Sequence, residues 1–241
     1  MMPATERSWW WRCAGAGLIV IAVSLYFGMI PNIEGCSADV DAQQLGSIIA
    51  FELVRTPADV SALFGAPPCT EPFTAAMRHA TWVDALVFIP AYSAFLICAL
   101  LALRGYGGSL ASIGIAAVAA AALFDQVEGF WLFMIMGDLP GTQGQINWLI
   151  PAVRAKFALL GIGAIYIGVL LTRHRGIGYI FGAVVALGGV ATMALIADDA
   201  YGQLTIQGSA IAWLALFVVA FLYAIIRINP RALVADVQSA D

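Results

Sequence analysis

The feature that most constrains this chain is a series of six long segments that contain no charged residue. Crossing the hydrocarbon core of a bilayer takes roughly 20 helical residues, and most of the segments approach that length. They are continuously apolar, without the two-residue alternation of membrane β-strands. Helices are predicted, because a helix satisfies its own backbone hydrogen bonds in lipid. The segments are 13–30, 85–103, 105–124, 157–172, 176–197 and 200–226.

The composition agrees with lipid as the solvent for most of the surface. Hydrophobic residues make up 62% of the 241 residues and charged residues only 11%, whereas a soluble domain has about 25% charged residues. No basic block indicates nucleic-acid binding. We predict an all-α polytopic transmembrane bundle with a single membrane domain. Its six helices are expected at about 12–30, 73–103, 109–136, 148–172, 176–197 and 207–227.

The distribution of basic residues predicts the orientation, because cytoplasmic loops are enriched in Lys and Arg. With the N-terminus inside, the loops near 137–147 and 198–207 lie outside, and neither contains Lys or Arg. Both termini are then cytoplasmic. Seven of the eleven basic residues fall on the inner side: Arg7, Arg12, Arg104, Arg173, Arg175, Arg227 and Arg231.

The segment 31–72 is predicted to form a short helical cap on the outer face of the bundle. A short apolar helix is expected at 44–54. A second helix is predicted to open at Thr56, with Pro57 at its first position and Asp59 three residues after the cap.

Four cysteines accompany these segments. Cys13 and Cys98 lie in apolar helices and are interpreted as small hydrophobic residues. Cys36 and Cys69 bracket the external segment, where a disulfide persists. We therefore predict a disulfide between them.

Ionisable residues inside the predicted helices are the candidate functional groups, because charge within a bilayer is costly. Asp84 lies near the outer end of the second helix. Asp125 and Glu128 are three residues apart in the third helix and share one face, so they repel unless a cation lies between them. Lys156 in the fourth helix has a matching depth. Arg154 points away from it, towards the outer interface.

Two further residues join this set: Glu52 approaches from the cap, and Tyr92 shares a face with Asp84. The chain resembles, over about residues 45–172, a family of small bacterial polytopic inner-membrane proteins. The resemblance implies a bacterial inner membrane and one constellation of Glu52, Asp84, Asp125, Glu128 and Lys156; it implies no activity. The residues that carry it are Phe51-Glu52-Leu53, Asp84 with Phe88 and Tyr92, Asp125-Gln126-Val127-Glu128, and Lys156-Phe157.

Three functions are compatible with these residues. The first is an enzyme acting on a lipid or isoprenoid by acid–base chemistry, because buried carboxyl groups serve as general acids. The second is a non-catalytic accessory subunit of a membrane complex, docking through the cap, or a lipid-binding protein. The third is a proton- or cation-coupled transporter. For the enzyme, the expected catalytic residues are Asp125, Glu128, Asp84, Lys156 and Glu52, with Tyr92 and Arg154 binding substrate.

A purely structural role is the alternative to these functions, because the same charges form a clasp if they only pair across helices. No cofactor is predicted, and no His or Cys cluster suits zinc or iron. A divalent cation held by Asp84, Asp125 and Glu128 is compatible with the sequence. Membrane lipids are the expected partners.

The other polar residues are given structural roles. Asp198 and Asp199 are expected to form a solvated helix end, and His79 and His174 to be surface residues. Glu52 alternatively pairs with Arg55, three residues along the chain.

Overall fold

The computed structural model describes residues 4–35, 44–174 and 176–225. These residues contain no β-strand, and six of their helices are long and apolar enough to cross a membrane. The predicted all-α polytopic bundle is therefore confirmed. The six spans are Thr5–Phe27, Thr70–Tyr106, Gly108–Gly137, Gln143–Arg173, Ile177–Ile196 and Asp199–Ile225.

The second span is built from two α-helices joined by a π-helical turn at Asp84–Phe88. Short 3₁₀ turns lie at Leu103–Tyr106, Met193–Ile196 and Asp199–Tyr201. The α-helices are α1 Ala4–Phe27, α2 Ser47–Glu52, α3 Pro57–Phe64, α4 Thr70–Val83, α5 Ile89–Ala102, α6 Gly108–Gly137, α7 Gln143–Arg173, α8 Ile177–Thr192 and α9 Gly202–Ile225.

The long helices pack in a closed circuit. Each of α5 to α8 contacts the next long helix along the chain, and α1 contacts both α5 and α9. Small residues allow α7 and α8 to approach each other closely. A Cβ atom added to Gly168 would lie 2.5 Å from the carbonyl oxygen of Gly182.

The fourth span begins earlier than predicted. Helix α7 starts at Gln143 rather than near residue 148, because a capping box opens it. The Thr142 hydroxyl accepts from the Gln145 backbone N–H, and the Gln145 side chain accepts from the Thr142 N–H. The extra turn pairs the first N–H groups of the helix with side chains.

The predicted short helices between the first two spans are present as α2 and α3, and residues 44–69 are called the cap. Helix α2 is shorter than the predicted 44–54. Helix α3 opens as predicted: the Thr56 hydroxyl accepts from the Asp59 N–H at 3.2 Å, and the Asp59 carboxylate accepts from the Thr56 N–H at 2.8 Å.

Aromatic packing seats the cap on the bundle. The ring of Phe64 lies 5.0 Å from the rings of both Phe51 and Phe73, measured between centroids. All three rings are buried, and they join α2, α3 and α4. The end of the bundle that carries the cap is called the cap end. At the opposite end, Arg173 Nη1 donates to the Tyr106 carbonyl.

Of the described cysteines, Cys13 is buried in α1 and Cys98 is half-buried in α5, both as free thiols. The Cys36–Cys69 disulfide stays a prediction, because Cys36 lies outside the described residues.

Candidate functional site

A single ammonium group lies among three carboxylates inside the cap end. Lys156 Nζ lies 2.7 Å from Glu52 Oε2, 2.7 Å from Glu128 Oε2 and 3.4 Å from Asp125 Oδ1. Each of the four residues is at most 7% exposed. We call Glu52, Asp125, Glu128 and Lys156 the Lys156 cluster. It joins the cap, α6 and α7.

The sequence positions of these residues explain their meeting. Asp125 and Glu128 lie on one face of α6. Asp125 lies twelve residues from Gly137, and Lys156 thirteen residues from Gln143, so each lies about 18–20 Å along its helix from the cap end. Glu52 is the last residue of α2 and enters from the cap. Four of the five residues of the expected constellation therefore meet here, and the fifth, Asp84, is not ion-paired with them.

Tyr92 extends the cluster towards α5. Its hydroxyl donates to Asp125 Oδ2 at 2.8 Å, and the residue is 1% exposed. The Tyr92 ring lies 5.7 Å from the Phe88 ring and 5.5 Å from the Trp213 ring, between centroids. Tyr92 thus links the charged groups to an aromatic wall, and we use this name for Phe88, Tyr92 and Trp213.

Asp84 lies at the start of the π-helical turn and is half-buried. Its carboxyl group forms no hydrogen bond and no ion pair among the described residues. The turn ends two residues before Pro90, which has no N–H to donate to the carbonyl of residue 86, so the regular α-helical pattern is already broken there. Asp84 and Phe88 both face the cavity described next.

A cavity of about 930 Å³ lies beside the Lys156 cluster at the cap end. It is bounded by α1 and the residues that follow it, the cap, the second span, α6, α7 and α9. Its size falls within the range of ligand pockets, about 300–1,000 Å³. Apolar residues such as Ile49, Leu160 and Ile206 form much of the wall. The charged residues on the wall are Glu34, Glu52, Asp84, Asp125 and Lys156.

The charges beside the cavity are unbalanced. Asp84 and the three carboxyl groups of the cluster face one ammonium group, so full ionisation would leave three excess negative charges. Such an excess is costly in an apolar interior, and the site therefore holds protons or binds a cation. Burial raises the pKa of Glu52, while the Lys156 ammonium opposes that shift.

The other predicted site residue, Arg154, lies elsewhere. Arg154 Nη2 is 3.1 Å from Asp199 Oδ1, and Arg55 Nε is 2.5 Å from Asp199 Oδ2. Arg154 does not line the cavity, so its expected contact with substrate is not supported. Asp199 is paired rather than a solvated helix end. The alternative pairing of Glu52 with Arg55 is wrong, because Lys156 is its partner.

No three His, Cys, Asp or Glu residues within 4–35, 44–174 and 176–225 are arranged to hold a metal ion. The Lys156 ammonium lies where a cation would bridge Glu52, Asp125 and Glu128. The divalent cation considered from the sequence stays a prediction.

The positions of two residues were not predicted from the sequence. Trp213 lies in the middle of α9 and lines the cavity. Interfacial Trp anchors lie near helix ends, so the position of Trp213 in the middle of a helix was the available sign. His174, expected at the surface, is buried 3.2 Å from Glu6. The rings of Tyr106 and Tyr223 pack on it, with centroids 4.7 and 4.6 Å away.

Comparison with known proteins yields no match to a family model, to a curated protein or to a solved structure. The resemblance to a family of small bacterial membrane proteins stays a prediction.

Proposed function

We propose that this chain is an integral membrane enzyme that binds a lipid or isoprenoid in the cap-end cavity and acts on it by acid–base chemistry. The proposal rests on the position of the Asp84 carboxyl group. This carboxyl group stands without a partner among the described residues, on the wall of a cavity of about 930 Å³. A carboxyl group in an apolar pocket is suited to give or take a proton.

The neighbouring residues support a division of roles. Asp84 is the group that exchanges a proton with the bound molecule. Tyr92 and Asp125 are hydrogen-bonded to each other on the same wall, so they orient the substrate's polar group. Lys156 holds the negative charge of Glu52 and Glu128 in place.

A purely structural clasp accounts for only part of this arrangement. The pairing of Lys156 with Glu52 and Glu128 does tie the cap to α6 and α7. A clasp needs neither an unpaired Asp84 nor a cavity against its charged face. The cavity therefore favours a binding function in addition to the clasp.

Transport has less support. From the Lys156 cluster towards the opposite end, the described core consists of buried apolar side chains such as Leu96, Leu100, Val118 and Ile167. A proton or cation moving from the cluster to that end would meet this apolar layer. The charged groups thus serve one end of the bundle.

The membrane and the orientation also belong to the proposal. We place the chain in a bacterial inner membrane, with the cap outside and both termini in the cytoplasm. Arg7, Arg12, Arg104 and Arg173 lie at the end opposite the cap, whereas the loops 138–142 and 197–201 on the cap side contain no Lys or Arg. This difference supports the orientation.

The test uses protein purified with native lipids in nanodiscs, in wild-type form and as Asp84→Asn. We expect native mass spectrometry to show a retained lipid in both. Incubation with a membrane lipid extract in deuterium oxide should give a lipid product with carbon-bound deuterium or altered mass from wild type alone. The matched control is Asp138→Asn, at an exposed loop position of the cap end, which should behave like wild type.

The outcomes separate the candidate functions. A retained lipid that neither protein converts would replace the enzyme by a non-catalytic lipid-binding protein. No retained lipid in the wild type would contradict the cavity function itself and leave the clasp as the role of the charges.

A further inference from the structure

We infer that the bound molecule carries a positively charged amine or quaternary ammonium group, held between Asp84 and the aromatic wall, on a hydrocarbon chain. The inference rests on the cavity of the proposed function and specifies which polar group that cavity selects. It would hold for a lipid amine and equally for a free long-chain amine.

The charges on the cavity wall exclude an anionic headgroup. Four carboxyl groups line the cavity, those of Glu34, Glu52, Asp84 and Asp125, and Lys156 is the one basic residue among the described residues of the wall. The Lys156 ammonium is already surrounded by three carboxylates. A phosphate or carboxylate entering here would meet like charges, whereas a cation would relieve them.

The nearby arginines do not alter this balance. Arg55 and Arg154 both pair with Asp199, and neither lines the cavity. The cavity therefore differs from an anion site, where Arg side chains converge on the ligand.

The aromatic wall supplies the second half of the recognition. Phe88, Tyr92 and Trp213 form a contiguous set, with ring centroids 5.5 to 6.2 Å apart. Ring faces attract a cation within about 6 Å of the centroid, and such cages bind quaternary ammonium groups. Asp84 lies one helical turn before Phe88, so a carboxylate stands beside the rings.

The hydrocarbon chain of the bound molecule would lie between α1 and α9. The two helices pack closely towards the opposite end, where Arg7 Nε donates to the Ala224 carbonyl at 3.2 Å. Towards the cap end they part, and Ser24 of α1 and Ala210 of α9 both line the cavity and are exposed. The cavity thus opens sideways between these helices, towards the lipid of the proposed bilayer.

The test compares three probes with one chain length: tetradecyltrimethylammonium, tetradecanol and tetradecyl phosphate. Binding to the purified chain in maltoside micelles is measured by isothermal titration calorimetry. We expect the ammonium probe to bind at least about tenfold more tightly than the phosphate, which corresponds to about 1.4 kcal/mol. Asp84→Asn should weaken ammonium binding by about tenfold and leave tetradecanol binding unchanged.

Further variants keep the result interpretable. Trp213→Leu should weaken the ammonium probe more than the alcohol, and Asp138→Asn should change neither. Ala210→Trp, at the sideways opening, should weaken all three probes. Thermal unfolding of each variant in the same detergent shows whether it is folded.

The outcomes distinguish this inference from the proposed function. If tetradecanol binds and Ala210→Trp abolishes its binding, the cavity function stands. Equal affinities for the ammonium and phosphate probes, or an Asp84→Asn variant with undiminished ammonium binding, would then overturn the amine alone. If no probe binds the wild type, both ideas fail.

Discussion

At Lys156, three buried carboxylates from the cap and α6 share a single ammonium group. Lys156→Met keeps much of the side-chain volume and leaves those carboxylates unpaired. Breaking a buried ion pair from one side costs about 3–5 kcal/mol, so we expect a large drop in the midpoint of thermal unfolding. Adding Glu128→Gln should recover part of the loss, because it removes one of the stranded charges.

The control is Arg104→Met, which removes an exposed basic side chain at the opposite end. It should shift the midpoint little, since exposed charges contribute about 0–1 kcal/mol. If Lys156→Met and Arg104→Met have the same midpoint of thermal unfolding, the cluster does not join the cap to the bundle.

The place of some site residues could be predicted from the sequence, and that of others could not. Asp125, Glu128 and Lys156 stood out because each is a charge within an apolar helix, and their spacing set a common face and depth. The partner of Glu52 could not be decided from the sequence. Arg55 lies three residues away along the chain, whereas Lys156 is on α7 and contacts Glu52 only because the cap folds over the bundle. Trp213 carries no charge, and its position in the middle of α9 was its only distinguishing feature in the sequence.

Among the elements, the π-helical turn at Asp84–Phe88 sets which way Asp84 faces. The turn already holds one residue more than an α-helical turn, so one Ala inserted after Val87, an exposed residue of the turn, would rotate α4 relative to α5 by about 100°. We expect the lengthened span to insert in the membrane. Binding of tetradecyltrimethylammonium should fall to the level of Asp84→Asn, because the carboxyl group no longer faces the cavity.

Val87→Ala is the matched control, since it changes the same position without changing the number of residues. Calorimetry and thermal unfolding of both variants form the measurement. An insertion variant that binds the amine as well as Val87→Ala would show that the turn does not orient Asp84.

The same element marks a limit of prediction from sequence. The capping box of α3 was predictable, because Thr56, Pro57 and Asp59 act within one turn. A π-helical turn uses the same residue types as an α-helix, and Pro90 is its only local sign. The number of spans followed from hydropathy, whereas the direction of each face depends on neighbouring helices.

As a whole, the molecule is polar at the cap end and apolar through the middle of the bundle. The Lys156 cluster and the cavity lie on the cap side, and Leu100, Val118 and Ile167 fill the core beyond them. This asymmetry makes orientation decisive for the proposed function, because the proposed lipid would reach Asp84 from the leaflet on the cap side.

The orientation is testable by cysteine labelling in intact bacterial cells. Asp138→Cys lies in the exposed loop after α6, and Arg104→Cys lies exposed at the opposite end; each is made with Cys36 and Cys69 replaced by Ser. The positive-inside rule predicts that a maleimide unable to cross the inner membrane labels Asp138→Cys at once. Arg104→Cys should react only after permeabilisation. The reverse pattern would place the cap and the cavity in the cytoplasmic leaflet, and Asp84 would then meet lipids of that leaflet.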